Sequence, residues 1–117
     1  MKKIILCLFL FLVVGCTTNT GYQNITPKQA IELLETEECI LLDVRTLEEY
    51  ESGYIPGAIN VPLDSIETFK EDKDACILVY CRSGNRSKKA SQLLVKMGYK
   101  NVYDLGGIQD WPYVIVQ

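Results

Sequence analysis

Apolar residues along the chain fall into three patterns. From Ile4 to Val14 they run unbroken for 11 residues, after Lys2-Lys3 and before Gly15-Cys16. That run is too short to span a bilayer as a helix, and its basic start and small-residue end have the layout of a signal peptide. Two shorter continuous runs, Cys39 to Val44 and Cys76 to Tyr80, have the pattern of strands buried on both faces. Shorter strands are expected at Tyr22 to Ile25, Ala58 to Val61 and Asn101 to Leu105. The third pattern is helical. Ala30, Ile31 and Leu34 form one stripe, and Ala90, Leu93, Leu94 and Met97 form another at i, i+3, i+4 and i+7, with Gly98 as its stop.

The polar positions set the boundaries of these elements. Thr26-Pro27-Lys28-Gln29 combines an N-cap, a proline at the first helical position and a residue able to close a capping box. Thr46 and Glu49 repeat the box, predicting a short helix over 47 to 52 that Gly53 ends. Pro56-Gly57 predicts a turn, Asp64 to Lys70 a brief helix, and Asp72-Lys73-Asp74 a polar loop. Strands alternating with helices predict an α/β domain: a five-stranded parallel sheet flanked by helices on both faces, with ligands at the carboxyl ends of the strands. Asp43, Arg45 and Cys81 fall at such ends.

The chemistry concentrates after the Cys76 strand, in Cys81-Arg82-Ser83-Gly84-Asn85-Arg86-Ser87, with a helix expected over Ser87 to Met97. A thiolate is the nucleophilic form of cysteine, and nearby guanidiniums and a helix N-terminus both favour it. Backbone N–H groups in such a loop make an anion-binding concavity. The chain has no histidine. Activation of Cys81 therefore has to come from the loop, its arginines and the helix terminus, and a Ser- or Cys-His hydrolase is excluded.

Charge and cysteine usage narrow the class further. Loss of residues 1–15 would remove two lysines and no acid, taking the net charge from −3 to −5. An acidic domain argues against a nucleic-acid partner. The local cluster Arg82, Arg86, Lys88 and Lys89 favours a small anion. Val13-Val14-Gly15-Cys16 resembles the bacterial lipobox, whose cysteine carries lipid and becomes the mature N-terminus; the alternatives are an uncleaved anchor or an ordinary secretory signal. The expected organisation is a signal peptide over 1–15, a lipidated Cys16 with a tether over 16–22, and one domain over 23–117. The location that follows is the bacterial cell envelope, outside the cytoplasm, with the membrane as anchor and not substrate. Thr17 is not the aspartate associated with inner-membrane retention, so periplasm and outer cell face both stay open. Of five cysteines, Cys39, Cys76 and Cys81 then remain, with no C-x-x-C pair. No metal or cofactor is expected.

Three blocks resemble the rhodanese family of sulfurtransferases: D-V-R-T-L-E-E-Y-E-S-G-Y-I-P-G-A-I-N-V-P from Asp43 to Pro62, C-R-S-G-N-R-S from Cys81 to Ser87, and G-G-I-Q-D-W from Gly106 to Trp111. The resemblance covers nearly all of the chain after the leader and is to the single-domain members. Tyr54 departs from the histidine frequent at that position, and Pro112 to Gln117 lacks the usual glycine-containing tail. The resemblance implies a rhodanese-like fold and a ping-pong transfer. Cys81 takes the outer sulfur of thiosulfate, releases sulfite, and passes its persulfide to cyanide or a thiol. Arg82 and Arg86 would neutralise the sulfonate, the N–H groups of Ser83, Gly84, Asn85, Arg86 and Ser87 would cradle anion and persulfide, and Asp43 with Arg45 would hold the loop and the Glu49 helix together. A monomer is expected.

Two other classes compete. Cys-dependent phosphatases and arsenate reductases of the same fold use a C-x5-R loop; here Arg86 gives C-x4-R, a smaller ring better suited to sulfur than to a phosphoryl group. A non-catalytic module that carries a persulfide or binds a protein is the other alternative. Cys39 and Cys76 begin strands that are neighbours in the resembled fold. The reading adopted is two small buried apolar residues, with a disulfide, which persists outside the cytoplasm, as the alternative.

Overall fold

The computed structural model describes residues 21–117. The expected signal peptide, Cys16 and most of the tether lie outside these residues. Five strands form one parallel sheet in the order β1-β5-β4-β2-β3: β1 Tyr22–Asn24, β2 Cys39–Asp43, β3 Ile59–Asn60, β4 Cys76–Cys81 and β5 Asn101–Gly107. Tyr22, placed by the sequence in the tether as well as in a strand, already pairs with Val102. The helices are α1 Pro27–Thr36, α2 Leu47–Glu51 and α3 Asn85–Lys96; 3-10 turns cover Leu63–Thr68 and Ile108–Asp110.

Both capping boxes form as the sequence predicts. Thr26 and Gln29 cap α1, and Thr46 and Glu49 cap α2, each with side chain and backbone bonded reciprocally. The brief helix expected over Asp64 to Lys70 forms as a 3-10 helix over Leu63–Thr68 that buries Ile66. Two expectations need correction. α3 starts at Asn85, two residues before Ser87, because Gly84 takes φ +107° and forms its N-cap. The buried stripe of α3 is Ser87, Ala90, Ser91 and Leu94, with Leu93 exposed. Two small serines let the helix lie close on the sheet.

Side chains alternate across β4, and this alternation places the site. Ile77, Val79 and Cys81 join Leu42, Ala90 and Leu94 in a core under α3. Leu78 and Tyr80 face the opposite core with Ala30, Ile55 and Leu105. Both faces are thus covered, as a parallel sheet requires. The tail returns over α2: Tyr54 N–H donates to the Val116 carbonyl at 3.0 Å, Val116 N–H donates back at 2.8 Å, and the Tyr54 ring stacks on Tyr50 with centroids 4.3 Å apart. The two positions that depart from the rhodanese pattern therefore pack against each other.

Cys39 and Cys76 are joined by a disulfide, which corrects the reading of two apolar thiols. They are directly opposed in the β2–β4 register with Cα atoms 4.6 Å apart, close enough for a bridge between neighbouring strands. Neither is fully buried. The bridge lies at the amino end of β4, and Cys81, the free thiol of the described residues, at the carboxyl end.

Candidate active site

Cys81 closes β4 and is 1 % exposed. Its Sγ accepts the Gly84 N–H at 3.1 Å and the Ser87 N–H at 3.2 Å. Ser87 is the third residue of α3, and the N–H at that position normally goes to the side chain of the N-cap residue. Gly84 has no side chain to offer, so the thiol sulfur takes that place. The sulfur therefore caps the helix, at the end where the backbone dipoles favour negative charge. Gly84 is suited twice over, since it adopts a positive φ without strain and leaves the cap vacant for Sγ.

Of the remaining loop residues, Arg82, Ser83 and Asn85 are exposed, Arg86 is half-buried and Ser87 is buried. Arg86 donates to Glu49 from both terminal nitrogens, at 2.7 and 3.0 Å. Its hydrogen bonds are thus directed to α2, while its charge still couples to Cys81 through space. The bond from Arg86 holds the Glu49 carboxyl at about 2. Arg82 has no ion-pair partner among the described residues, so its charge is open to solvent.

Asp43 and Arg45 form a buried pair beside this site. Arg45 N–H, Nε and Nη2 all donate to the Asp43 carboxylate, at 2.7 to 3.1 Å, and Nη2 also donates to the Gly53 carbonyl at 2.7 Å. Burial opposes the guanidinium charge, but the bonds to Asp43 outweigh it and raise the Arg45 pKa. Asn60 Nδ2 donates to the carbonyls of both residues, fixing the β2 end to β3. The pair secures the chain just after α2, and α2 in turn reaches the loop through Glu49 and Arg86. Tyr80, below Cys81, accepts the Ile55 N–H at its hydroxyl, and burial together with Asp43 pushes its phenol well up. Among the described residues no group of three or more His, Cys, Asp or Glu is placed to hold a metal ion.

Three contributors escaped the sequence reading as site residues. Glu49 was legible as a cap, but its bond to a residue 37 positions away has no local signature. Asp104 accepts the Ser87 hydroxyl at 2.7 Å and the Gly106 N–H at 3.0 Å. Gly107 lies so near the loop backbone that a Cβ there would collide with the Arg82 carbonyl and crowd Ser83 Cα. Its place in the G-G-I-Q-D-W block was the available signal.

The sequence profile of the rhodanese-like domain matches residues 26–112. The chain belongs to the rhodanese-like family. Thiosulfate sulfurtransferase GlpE of Coxiella burnetii is 34% identical over 93 residues, covering 77% of this chain and 87% of that protein. Thiosulfate sulfurtransferase PspE of Escherichia coli is 40% identical over 73 residues, covering 59% of this chain and 70% of its own length. A rhodanese-related protein from Thermoplasma volcanium superposes with a TM-score of 0.71 at 31% identity, across 81% of this chain and 98% of that structure. The match covers every element from α1 to the 3-10 turn after β5, and the Cys81 loop lies within it.

Proposed function

We propose that this rhodanese-like domain is a thiosulfate sulfurtransferase that works through a persulfide on Cys81. The observation that carries the reading is the position of Sγ as the cap of α3, where it accepts two backbone N–H groups. Donors fixed in that way favour thiolate over thiol and need no histidine. Named thiosulfate sulfurtransferases among the relatives support the reaction class.

In the first half-reaction the Cys81 thiolate attacks the outer sulfur of thiosulfate. The new Sγ–S bond forms as the sulfur–sulfur bond of thiosulfate breaks, and its electron pair leaves with sulfite. Cys81 is then a persulfide anion, whose terminal sulfur takes over the negative charge that the loop and helix terminus favour. Arg82 meets the departing sulfonate, and Arg86 contributes charge without a direct bond. In the second half-reaction cyanide or a thiolate attacks the terminal sulfur, and the electron pair of the Sγ–S bond returns to Cys81.

We propose that this chemistry lies outside the cytoplasm in a bacterial cell envelope, in the periplasm or on the outer cell face, on a lipid anchor at Cys16. The Lys2 to Cys16 sequence supports that location, as does the Cys39–Cys76 disulfide, a bond that persists in oxidising compartments. A steady-state assay of the full chain with thiosulfate, arsenate and an aryl phosphate side by side tests the class. Turnover of thiosulfate with thiocyanate release is expected, and turnover of either oxyanion instead would reject the reading.

A further inference from the structure

Asp104 is buried, yet it carries an acidic side chain directly behind the nucleophile loop. One oxygen, Oδ1, accepts both the Ser87 hydroxyl and the Gly106 N–H. The two donors belong to different structures. Ser87 lies in the first turn of α3, and its own N–H is one of the two that point at Cys81 Sγ. Gly106 follows a bulge in β5: Val79 pairs with Asp104, but Tyr80 pairs with Gly106 and Cys81 with Gly107, leaving Leu105 as the extra residue. A bulge adds a residue and re-aims the strand that follows. Here it brings Gly107 beneath the Arg82–Ser83 backbone, where nothing larger than glycine fits.

We infer that Asp104 is a positioning residue for Cys81: its Oδ1 joins the β5 bulge to the first turn of α3, and so fixes the Ser87 N–H that stabilises the thiolate. Burial raises the Asp104 pKa, so this carboxylate is held at a cost that packing alone would not require. A negative charge behind a thiolate also opposes its ionisation. The benefit therefore lies in the acceptor geometry and not in the charge. The Gly84 carbonyl, 3.2 Å from Ser87 Oγ, is the longer alternative acceptor for the single hydroxyl proton, which Asp104 takes at 2.7 Å. The inference rests on Cys81 as the nucleophile of the proposed function, but its test does not depend on sulfur transfer.

The experiment is iodoacetamide alkylation of Cys81 in the full chain, followed by peptide mass spectrometry at neutral pH and at a pH where the thiol is fully ionised. Asp104→Ala is expected to slow the neutral rate, relative to the alkaline one, about tenfold, the scale of losing one charge-assisted bond to the sulfur. Asp104→Asn keeps an acceptor oxygen and loses the charge, and is expected to alkylate at least as readily as wild type. If Asp104→Ala proves unfolded, Ser87→Ala provides the same test, since it retains the N–H but frees it from Asp104. Slowing in the Ala variants with rescue by Asn supports the inference. An unchanged ratio in a folded Ala variant, or equal slowing with Asn and Ala, overturns it. Absence of thiosulfate turnover in wild type would reject the proposed function and leave the alkylation result standing.

Discussion

Arg86 and Glu49, 37 residues apart, form a two-bonded ion pair at 2.7 and 3.0 Å that ties the Cys81 loop to α2. The same Glu49 carboxylate accepts the Thr46 N–H in the capping box, so one side chain holds the start of α2 and the start of α3 together. The guanidinium expected from the sequence over the sulfonate is thereby partly neutralised before substrate arrives.

Opposite changes follow when either partner is removed. Arg86→Ala removes a positive charge from the Cys81 loop and leaves the Glu49 carboxylate without its ion-pair partner, and kcat/KM for thiosulfate should fall about tenfold, equivalent to ~1.4 kcal/mol of transition-state stabilisation. Glu49→Gln keeps an acceptor for Thr46 and releases the Arg86 charge, so KM for thiosulfate should fall or hold. Steady-state kinetics on both variants separate the roles: equal losses would mean that the pair serves loop geometry and not charge.

The same pair sets an acid dependence of stability. Glu49 is held at about 2 in the folded protein against an ordinary 4.5, so the unfolded chain binds more protons between those values. Stability from this group is complete above pH ~4.5 and is lost as pH falls towards ~2. The pair is partly exposed, which limits the effect to about 1 kcal/mol or less. Thermal melts across that window should show a smaller acid loss in Glu49→Gln than in wild type. Asp104 contributes the opposite slope, since burial raises its pKa and its ionisation opposes folding.

The disulfide and Cys81 sit at opposite ends of β4, so the proposed function predicts that stability and activity separate. The bridge closes a loop with a sequence separation of 37 residues. Chain-entropy reasoning gives such a crosslink ~3–4 kcal/mol. The Cys39→Ser, Cys76→Ser double variant should lose about that much in denaturant titration while keeping its kcat for thiosulfate at a temperature where it is folded.

Gly107, under the Cys81 loop, and Ser91, on the buried face of α3, make a contrasting pair of small residues. Gly107→Ala puts a Cβ against the Arg82 carbonyl and must push the loop away from its seat, so transfer should drop about a hundredfold, the loss that a ~1 Å misplacement produces. Ser91 is buried with no hydrogen-bond partner for its hydroxyl among the described residues. Ser91→Ala removes an unsatisfied group, and equilibrium unfolding should show stability unchanged or raised by about 1 kcal/mol with transfer intact.

Local chemistry made much of this legible from sequence. Thr26 and Thr46 cap their helices as read, and Cys81 lies at a strand end beside a helix start because an apolar run meets R-S-G-N-R there. The hidden features involve partners distant in sequence. Ser87 looked like the helix start, but Sγ and Gly84 cap α3 two residues earlier. The β5 bulge shifts Gly106 and Gly107 by one register position, which the run Asn101 to Leu105 gives no sign of. Cys39 and Cys76 read as apolar residues until strand pairing set them opposite each other.

The most direct measurement is the mass of the Cys81 peptide from the full chain after incubation with thiosulfate. The account predicts the gain of one sulfur atom on that peptide, its removal by cyanide with release of thiocyanate, and no gain in Cys81→Ser. A Cys81 peptide that stays unmodified while thiosulfate is present in excess, with no thiocyanate formed on adding cyanide, would contradict it.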